Sequence, residues 1–155
     1  MTVFRLCRKP YRNDLSGRGA EIKGGRWNSE GVPLLYTSQS RALSVVELAV
    51  HLPLGIHPLD YFMLTITVPD FVPVQSSEEM GLPADWKERL HSQSTREIGN
   101  QFFDMNTHLV LEVPSAVVEG DHNYLVNPRH SDFNQVTLVE TVPFQFDRRL
   151  FEREI

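Results

Sequence analysis

The stretch "GGRWNSEGVPLLYTSQSRALSVVELAVHLP", residues 24–53, holds a turn, a strand and a helix in succession. Two glycines open it, and glycine permits either the positive φ of a turn or a close approach of the backbone to a ligand. Val32–Thr37 predicts a buried strand. A helix is predicted next, with Ser38 or Ser40 as N-cap and Pro53 as its stop. The stretch therefore predicts mixed α and β structure.

The predicted helix carries one acidic residue close to its apolar side. At 100° per residue, Glu47 lies about 40° round the helix from Leu43, at the rim of the apolar face. A carboxylate at that rim can point into a cleft whose floor is the core. The predicted apolar arc consists of Ala42, Leu43, Val45, Val46, Ala49 and Val50.

The remaining segments complete an α+β prediction with a mostly antiparallel set of strands. Arg8–Asn28 reads as a long ordered loop, and loops of that length are usually functional. Ser94 and Glu97 form a capping box that predicts a helix over Thr95–Asp104. Ser77–Leu90 predicts a short helix or a loop insertion. Further strands are predicted at Thr2–Cys7, Tyr61–Val68, Leu109–Val113, Asn123–Val126 and, with a bulge, Gln135–Phe146.

Composition limits the possible functions. A chain of 155 residues fits one domain over residues 1–155, with room for an internal pocket. Fifteen Lys and Arg against twenty Asp and Glu give a net charge of −5, which argues against direct nucleic-acid binding. Cys7 is the single cysteine, and the histidine spacings match no metal site, so neither a disulfide nor a bound metal is expected. The absence of an apolar span or signal segment predicts no membrane association and a cytoplasmic location.

Six positions are candidates for a binding site, and each also has a plain structural explanation. Arg26 could grip an anion or simply follow a turn, and Glu47 could be a solvated helix residue. Together the candidates offer two guanidinium groups, a carboxylate, an aromatic face and two small hydrogen-bonding groups. That set suits a ligand with phosphates, sugar hydroxyls and a flat ring. The other four candidates are Arg5, Tyr36, Ser115 and Asn127.

A series of short motifs resembles the RES domain family, whose members are toxins of bacterial RES–Xre toxin–antitoxin pairs. The resemblance extends from Val3 to Leu150, with one departure at Ser131, where proline is expected. The matching motifs are "FR" at 4–5, "GGRWN" at 24–28, "YTS" at 36–38, "ALSVVELAVH" at 42–51, "VPSAVV" at 113–118 and "NPRHSDF" at 127–133.

The resemblance implies an ADP-ribosyltransferase-like fold, with mostly antiparallel sheets around an NAD cleft and flanking helices. It implies the toxin of a type II toxin–antitoxin system that depletes NAD+ by hydrolysis or phosphorolysis of the nicotinamide–ribose bond. The alternatives are transfer of ADP-ribose to a cellular protein and a nucleotide-binding module without catalysis. The expected partner is an Xre-type antitoxin that covers the cleft, and a homodimer is plausible from the resemblance.

The resemblance also assigns roles to the candidates. Arg26, Glu47 and Ser115 match the arginine, glutamate and serine that name the family, while Arg5 and Tyr36 match further pocket positions. As a hypothesis, the two arginines bind the pyrophosphate and the glycines up to Gly25 let the main chain approach it. Tyr36 flanks the nicotinamide and Glu47 offsets the positive charge that develops on the ribose. Ser115 and Asn127 orient the ribose or the glutamate.

Overall fold

β-Branched and aromatic residues recur along seven segments, and these segments form one sheet. The structure is a computed structural model that describes residues 1–88 and 93–151. Within those residues the strand order is β4-β5-β6-β2-β1-β3-β7. Every pairing is antiparallel except that of β4 with β5. The strands are β1 (Thr2–Arg8), β2 (Leu35–Ser38), β3 (Tyr61–Thr67), β4 (Val74–Ser76), β5 (Val110–Pro114), β6 (His122–Val126) and β7 (Thr137–Phe144).

Three α-helices lie in the described part of the chain: α1 (Arg18–Lys23), α2 (Arg41–Ala49) and α3 (Gln93–Met105). The Ser40 side chain caps α2 by accepting a hydrogen bond from the Leu43 N–H at 3.1 Å, which confirms one of the two predicted caps. None of the described helices is long and apolar enough to cross a bilayer. Short 3₁₀ helices occupy Lys9–Tyr11, Ser131–Gln135 and Arg148–Leu150.

The middle of the sheet is buried on both faces by two apolar clusters. One lies around Val3, Leu64 and Ile66, three side chains that have no exposed surface. The other joins α3 to the "GGRWN" loop, because Trp27 packs with Ile98 and Phe102. At their contact the backbones touch, and a Cβ on Gly99 would lie 1.5 Å from the Trp27 carbonyl oxygen. The loop is thus fixed between a helix and the sheet.

Several local predictions need correction. The predicted loop over Arg8–Asn28 contains α1, which buries no residue and therefore leaves no apolar periodicity in the sequence. The strand predicted from Val32 begins at Leu35, since the Val32 N–H bonds to the Ser29 carbonyl in a turn. β4 was not predicted, because its three residues are held only by pairing with β5.

The helices also differ in detail from their predictions. α3 begins at Gln93, so Ser94 lies inside its first turn and not at its cap. The predicted arc of α2 is partly wrong: Ala42 and Val50 are exposed, and Leu43 and Ser44 are the buried residues. Residues 77–88 form turns, while residues 89 and 90 of the segment predicted as a helix or insertion lie outside the described residues. The predicted bulge in β7 is confirmed by the register shift opposite Thr65 and Ile66.

Candidate functional site

A cleft of about 920 Å³ lies between α2, the "GGRWN" loop and the middle of the sheet. Five of the six predicted site residues, and Gly25, belong to this region of the molecule. Four of those residues line the cleft directly, while Ser115 lies just behind its wall. The lining residues among the predictions are Arg5, Gly25, Arg26, Tyr36 and Glu47. The fold thus assembles residues that are far apart in sequence on one concave surface.

The carboxylate of Glu47 is held in place through a single oxygen. Its Oε1 accepts a hydrogen bond from the Ser115 hydroxyl at 2.7 Å and one from Asn123 Nδ2 at 2.6 Å. Asn123 is itself fixed, because its Oδ1 accepts from the Ser38 hydroxyl at 2.7 Å. Within residues 1–88 and 93–151, Oε2 accepts no hydrogen bond. The carboxylate therefore has one anchored oxygen and one oxygen available to a ligand.

Ser115 owes its position to a tight turn after β5. Its hydroxyl accepts hydrogen bonds from the N–H groups of Val117 at 3.1 Å and Val118 at 2.9 Å. Its own N–H bonds to the Asp121 carbonyl at 2.8 Å. With its acceptor capacity used by the turn, the hydroxyl proton is directed to Glu47. Ser115 is 2% exposed, so it contacts the carboxylate and not the open cleft.

Tyr36 is locked to the "GGRWN" loop through its hydroxyl. That hydroxyl donates to Asn28 Oδ1 at 2.7 Å and accepts from the Trp27 N–H at 3.1 Å. Burial raises the pKa of Tyr36 well above its ordinary value of 10.0, so the phenol stays protonated at neutral pH. Asn28 completes the lock, since its Nδ2 donates to the carbonyls of Ala20 at 2.8 Å and Val32 at 2.9 Å.

Gly25 leaves room for the hydrogen bond between Tyr36 and Asn28, rather than for a ligand. A Cβ at this position would lie 2.7 Å from the Tyr36 hydroxyl and 2.9 Å from Asn28 Oδ1. Any side chain would therefore separate Tyr36 from Asn28. Gly24 has a φ of +67° and ends α1, with its N–H bonded to the Ala20 carbonyl at 2.8 Å. The pair of glycines thus combines a turn with a close approach of the backbone to a side chain.

Arg26 lines the cleft, and its side chain is bonded to the turn at residues 86–88. Its Nη1 donates to the carbonyls of Trp86 at 2.7 Å and Glu88 at 2.9 Å. Partial burial lowers the pKa of Arg26, an effect that the charge of Glu47 opposes. A guanidinium group has five N–H donors, so these contacts leave donors for a ligand. Trp86 in turn stacks on Trp27, with ring centroids 6.5 Å apart.

The cleft is cationic although the chain is acidic overall. Four basic residues line it, and Glu47 is the one acidic residue among its described lining. Arg5 lies on the buried face of β1 with Val3 and Cys7, and its Nε is buried without a partner within the described part of the chain. The pKa of the Cys7 thiol is raised by burial, and the positive charge of Arg5 partly opposes this rise. The four basic residues are Arg5, Lys23, Arg26 and Lys87.

The prediction that Asn127 contacts the ligand needs correction. Its side chain has no exposed surface, and it is not among the described residues that line the cleft. Its Nδ2 donates to Asn106 Oδ1 at 2.9 Å, and its Oδ1 accepts from the Arg129 N–H at 2.9 Å. The turn signal of an asparagine before proline was therefore the correct interpretation.

Sequence reasoning missed several polar residues that line this cleft, among them Asn123, Ser44, Lys23 and Lys87. Asn123 faces Glu47 because β6 pairs with β2 in a register that places Asn123 opposite Ser38. Ser44 precedes Glu47 by three residues, a spacing that was visible in the sequence of α2. Lys23 and Lys87 come from α1 and from a turn, and no local pattern linked either to the cleft.

Comparison with protein families and curated proteins yields consistent matches. The model of the RES domain matches residues 2–147. The "Toxin Res" of Photorhabdus laumondii is 34% identical over 156 residues, which cover 97% of each chain. The "Prs ADP-ribosylating toxin" of a Sphingobium species is 35% identical over 145 residues, 91% of this chain and 89% of that protein.

A solved structure shows the same fold. The chain superposes with a TM-score of 0.72 on a chain of the Mycobacterium tuberculosis MbcT–MbcA toxin–antitoxin complex, at 24% identity. The match covers 93% of this chain and 84% of the other. The expected α+β, ADP-ribosyltransferase-like fold class is confirmed.

Proposed function

The chain belongs to the RES domain family, and from this premise we propose that it is the toxin of a bacterial toxin–antitoxin pair that cleaves NAD+ between nicotinamide and ribose. The observation that carries the proposal is the carboxylate of Glu47, fixed through Oε1 by Ser115 and Asn123 in a cationic cleft. The names of two relatives, "Toxin Res" and "Prs ADP-ribosylating toxin", support it.

The cations of the cleft suit the pyrophosphate of a dinucleotide. A guanidinium group binds phosphate oxygens through two parallel hydrogen bonds. Arg5 lines the cleft, and its guanidinium group has N–H donors besides the buried Nε. Arg26, with Nη1 held by two backbone carbonyls, presents its other donors in a fixed orientation. A preoriented guanidinium loses less conformational entropy when it binds.

The proposed chemistry needs stabilisation of positive charge. Nicotinamide leaves as a neutral molecule, and the ribose that remains resembles an oxocarbenium ion. Oε2 of Glu47 would accept a hydrogen bond from a ribose hydroxyl and lower the energy of the developing cation. Ser115 and Asn123 act as positioning residues, because they hold the carboxylate and do not need to touch the substrate. The ring of Tyr36 would flank the nicotinamide.

Transfer of ADP-ribose to a cellular protein is the second candidate. It is favoured by the name of the "Prs ADP-ribosylating toxin", which is 35% identical to this chain. The same cleft would bind NAD+, and only the acceptor would differ. A nucleotide-binding module without catalysis would need neither the fixed carboxylate nor its two hydrogen bonds.

We further propose an antitoxin as the protein partner, of the Xre type. The similar structure is that of a toxin–antitoxin complex, and uncontrolled consumption of NAD+ would harm the cell that makes the enzyme. The antitoxin would cover the open cleft. Co-expression with the Xre-type antitoxin should yield one complex on a sizing column, whereas separate elution would contradict this partner.

The experiment that tests the function measures the fate of both the nicotinamide and the ADP-ribose part of NAD+. NAD+ labelled in its adenylate part is incubated with the purified protein, with and without phosphate, and with cell lysate. Label in small molecules with release of nicotinamide would support cleavage, and dependence on phosphate would identify phosphorolysis. Label on a macromolecule would support transfer. Bound but intact NAD+ in all three incubations would contradict both candidates and leave a binding module.

A further inference from the structure

A few buried polar atoms lack hydrogen bonds within residues 1–88 and 93–151. Proteins pair nearly all buried polar atoms, so each exception calls for an explanation. Two of the exceptions, Arg5 Nε and Ser44 Oγ, belong to residues that line the cleft. The other two are His57 Nδ1 and Ser77 Oγ.

Ser44 lies beside the fixed carboxylate. It is 5% exposed, it lines the cleft, and it is three residues before Glu47 on α2. Residues with this spacing are neighbours on one helix face, with Cβ atoms about 5–6 Å apart. The backbone N–H of Ser44 bonds to the Ser40 carbonyl at 3.1 Å, so the side chain alone is left unpaired. The chain thus places a buried, unpaired hydroxyl three residues before the anchored carboxylate on α2, in a residue that lines the cleft.

We propose that Ser44 is a ligand-binding residue and that, with Glu47, it binds the two neighbouring hydroxyls of the ribose that carries nicotinamide. The inference rests on the proposed function. A carboxylate can only accept hydrogen bonds, whereas a serine hydroxyl both donates and accepts. One sugar hydroxyl donates to Oε2 of Glu47, and its neighbour exchanges a hydrogen bond with Ser44 Oγ. The pair on α2 therefore matches a diol rather than a phosphate.

Ser77 provides a matched control. Its hydroxyl is also buried without a partner in the described part of the chain, and the residue is 1% exposed. It is not among the described residues that line the cleft. Ser44→Ala and Ser77→Ala each remove an unpaired buried hydroxyl, so each variant should melt at or above the temperature of the wild type. A lower affinity confined to Ser44→Ala would then reflect a lost contact with the ligand.

The test compares ADP-ribose with ADP, which lacks the second ribose, by isothermal titration calorimetry. Neither ligand contains nicotinamide, so neither is consumed. One neutral hydrogen bond corresponds to about a three- to tenfold change in affinity. Ser44→Ala should therefore bind ADP-ribose about three- to tenfold more weakly and ADP as tightly as the wild type does. Ser77→Ala should bind both ligands as the wild type does.

The other outcomes separate this inference from the proposed function. Equal affinity of wild type and Ser44→Ala for ADP-ribose would overturn the role of Ser44 alone. Equal losses for ADP-ribose and ADP would place Ser44 at the ADP half and overturn the ribose assignment. A wild type that binds neither ligand would overturn the proposed function together with this inference.

Discussion

At the scale of single residues, the "GGRWN" loop holds the side chain of Tyr36 in place through hydrogen bonds to its hydroxyl. Gly25 leaves room for the Tyr36 hydroxyl, and Asn28 accepts the hydrogen bond that this hydroxyl donates. The same loop carries Arg26, which lines the cleft. The glycine pair Gly24 and Gly25 and the following Arg26 therefore belong to the same structural unit.

Gly25→Ala should destabilise the protein. The added Cβ would lie 2.7 Å from the Tyr36 hydroxyl, so the lock must open or the loop must move. We expect a loss of about 1–3 kcal/mol in the free energy of unfolding, as in other overpacked sites. Gly19→Ala is the control, because nothing lies within 4 Å of its added Cβ and it lies inside α1. Equal unfolding midpoints of both variants in urea would contradict the requirement for glycine beside the Tyr36–Asn28 hydrogen bond.

Tyr36→Phe should lower stability at neutral pH by about 1–3 kcal/mol, because it leaves Asn28 Oδ1 and the Trp27 N–H without this partner. The difference in unfolding free energy between the wild type and Tyr36→Phe should become smaller at alkaline pH. The pKa of Tyr36 is raised in the folded state, so its stabilising effect is complete below about pH 10 and is lost as pH rises further. Urea unfolding at about pH 8 and about pH 11 measures both values. A difference in unfolding free energy that is the same or larger at about pH 11 would contradict the burial of the Tyr36 phenol.

The residue scale also shows the limits of sequence reasoning. Arg26, Glu47 and Ser115 were found because their motifs resemble those of a known family, and the structure places them together. Asn123 was missed, since its role depends on the register between β6 and β2, which no local pattern encodes. Asn127 was misassigned because its motif is equally suited to a buried turn.

At the scale of elements, α2 and α3 position the site from two sides. α2 carries Ser44 and Glu47 along one face of the cleft. α3 supports the "GGRWN" loop from behind, where Gly99 touches the backbone at Trp27. α2 was predicted from its apolar arc and its Ser40 cap, and α3 was predicted from a capping box whose serine in fact lies inside the helix. The contact of α3 with the "GGRWN" loop was not predicted.

Gly99→Ala tests that contact. Its Cβ would overlap the Trp27 carbonyl oxygen, and backbone on both sides leaves no flexible group to give way. We expect a loss of at least about 1–3 kcal/mol in unfolding free energy and weaker binding of ADP-ribose, because the loop must shift. Gln101→Ala, at an exposed position on α3, should change neither quantity. A Gly99→Ala protein with the stability and affinity of the wild type would show that α3 does not support the loop.

α1 and β4 mark where prediction from local sequence ends. α1 is six residues long and buries none of them, and β4 is three residues long. Short elements of this kind are stabilised by their tertiary setting and not by their own propensity. The long, apolar strands β1 and β3 were predicted nearly to the residue, because burial on the sheet determines their composition.

At the scale of the whole molecule, the distribution of charge matters more than its total. The net charge is −5, yet four basic residues surround the cleft. A cationic cleft in an acidic protein attracts small anions locally while the remaining surface repels polyanions. This distribution fits a dinucleotide substrate and does not fit a nucleic acid.

The charge distribution predicts a salt dependence. Raising ionic strength from about 0.01 M to about 0.15 M shortens the screening length from about 30 Å to about 8 Å. We expect KM for NAD+ to rise several-fold while kcat changes little, because screening weakens attraction and leaves the bound geometry intact. Lys87→Gln should flatten the dependence, and Lys9→Gln, an exposed lysine that is not among the described lining residues, should not. A KM that does not vary with salt would contradict attraction by the cleft.

The most direct test of the account is the turnover of NAD+ by Glu47→Gln. Glutamine can keep both hydrogen bonds from Ser115 and Asn123 through its amide oxygen, but it loses the negative charge and places an NH2 donor where Oε2 would accept from the ribose. We predict that nicotinamide release by Glu47→Gln falls about 100- to 1,000-fold relative to the wild type, a loss typical of a removed electrostatic contact, while ADP-ribose still binds. Glu140→Gln, on the exposed part of β7, should release nicotinamide like the wild type. Wild-type turnover in Glu47→Gln would contradict the central claim that this carboxylate drives cleavage.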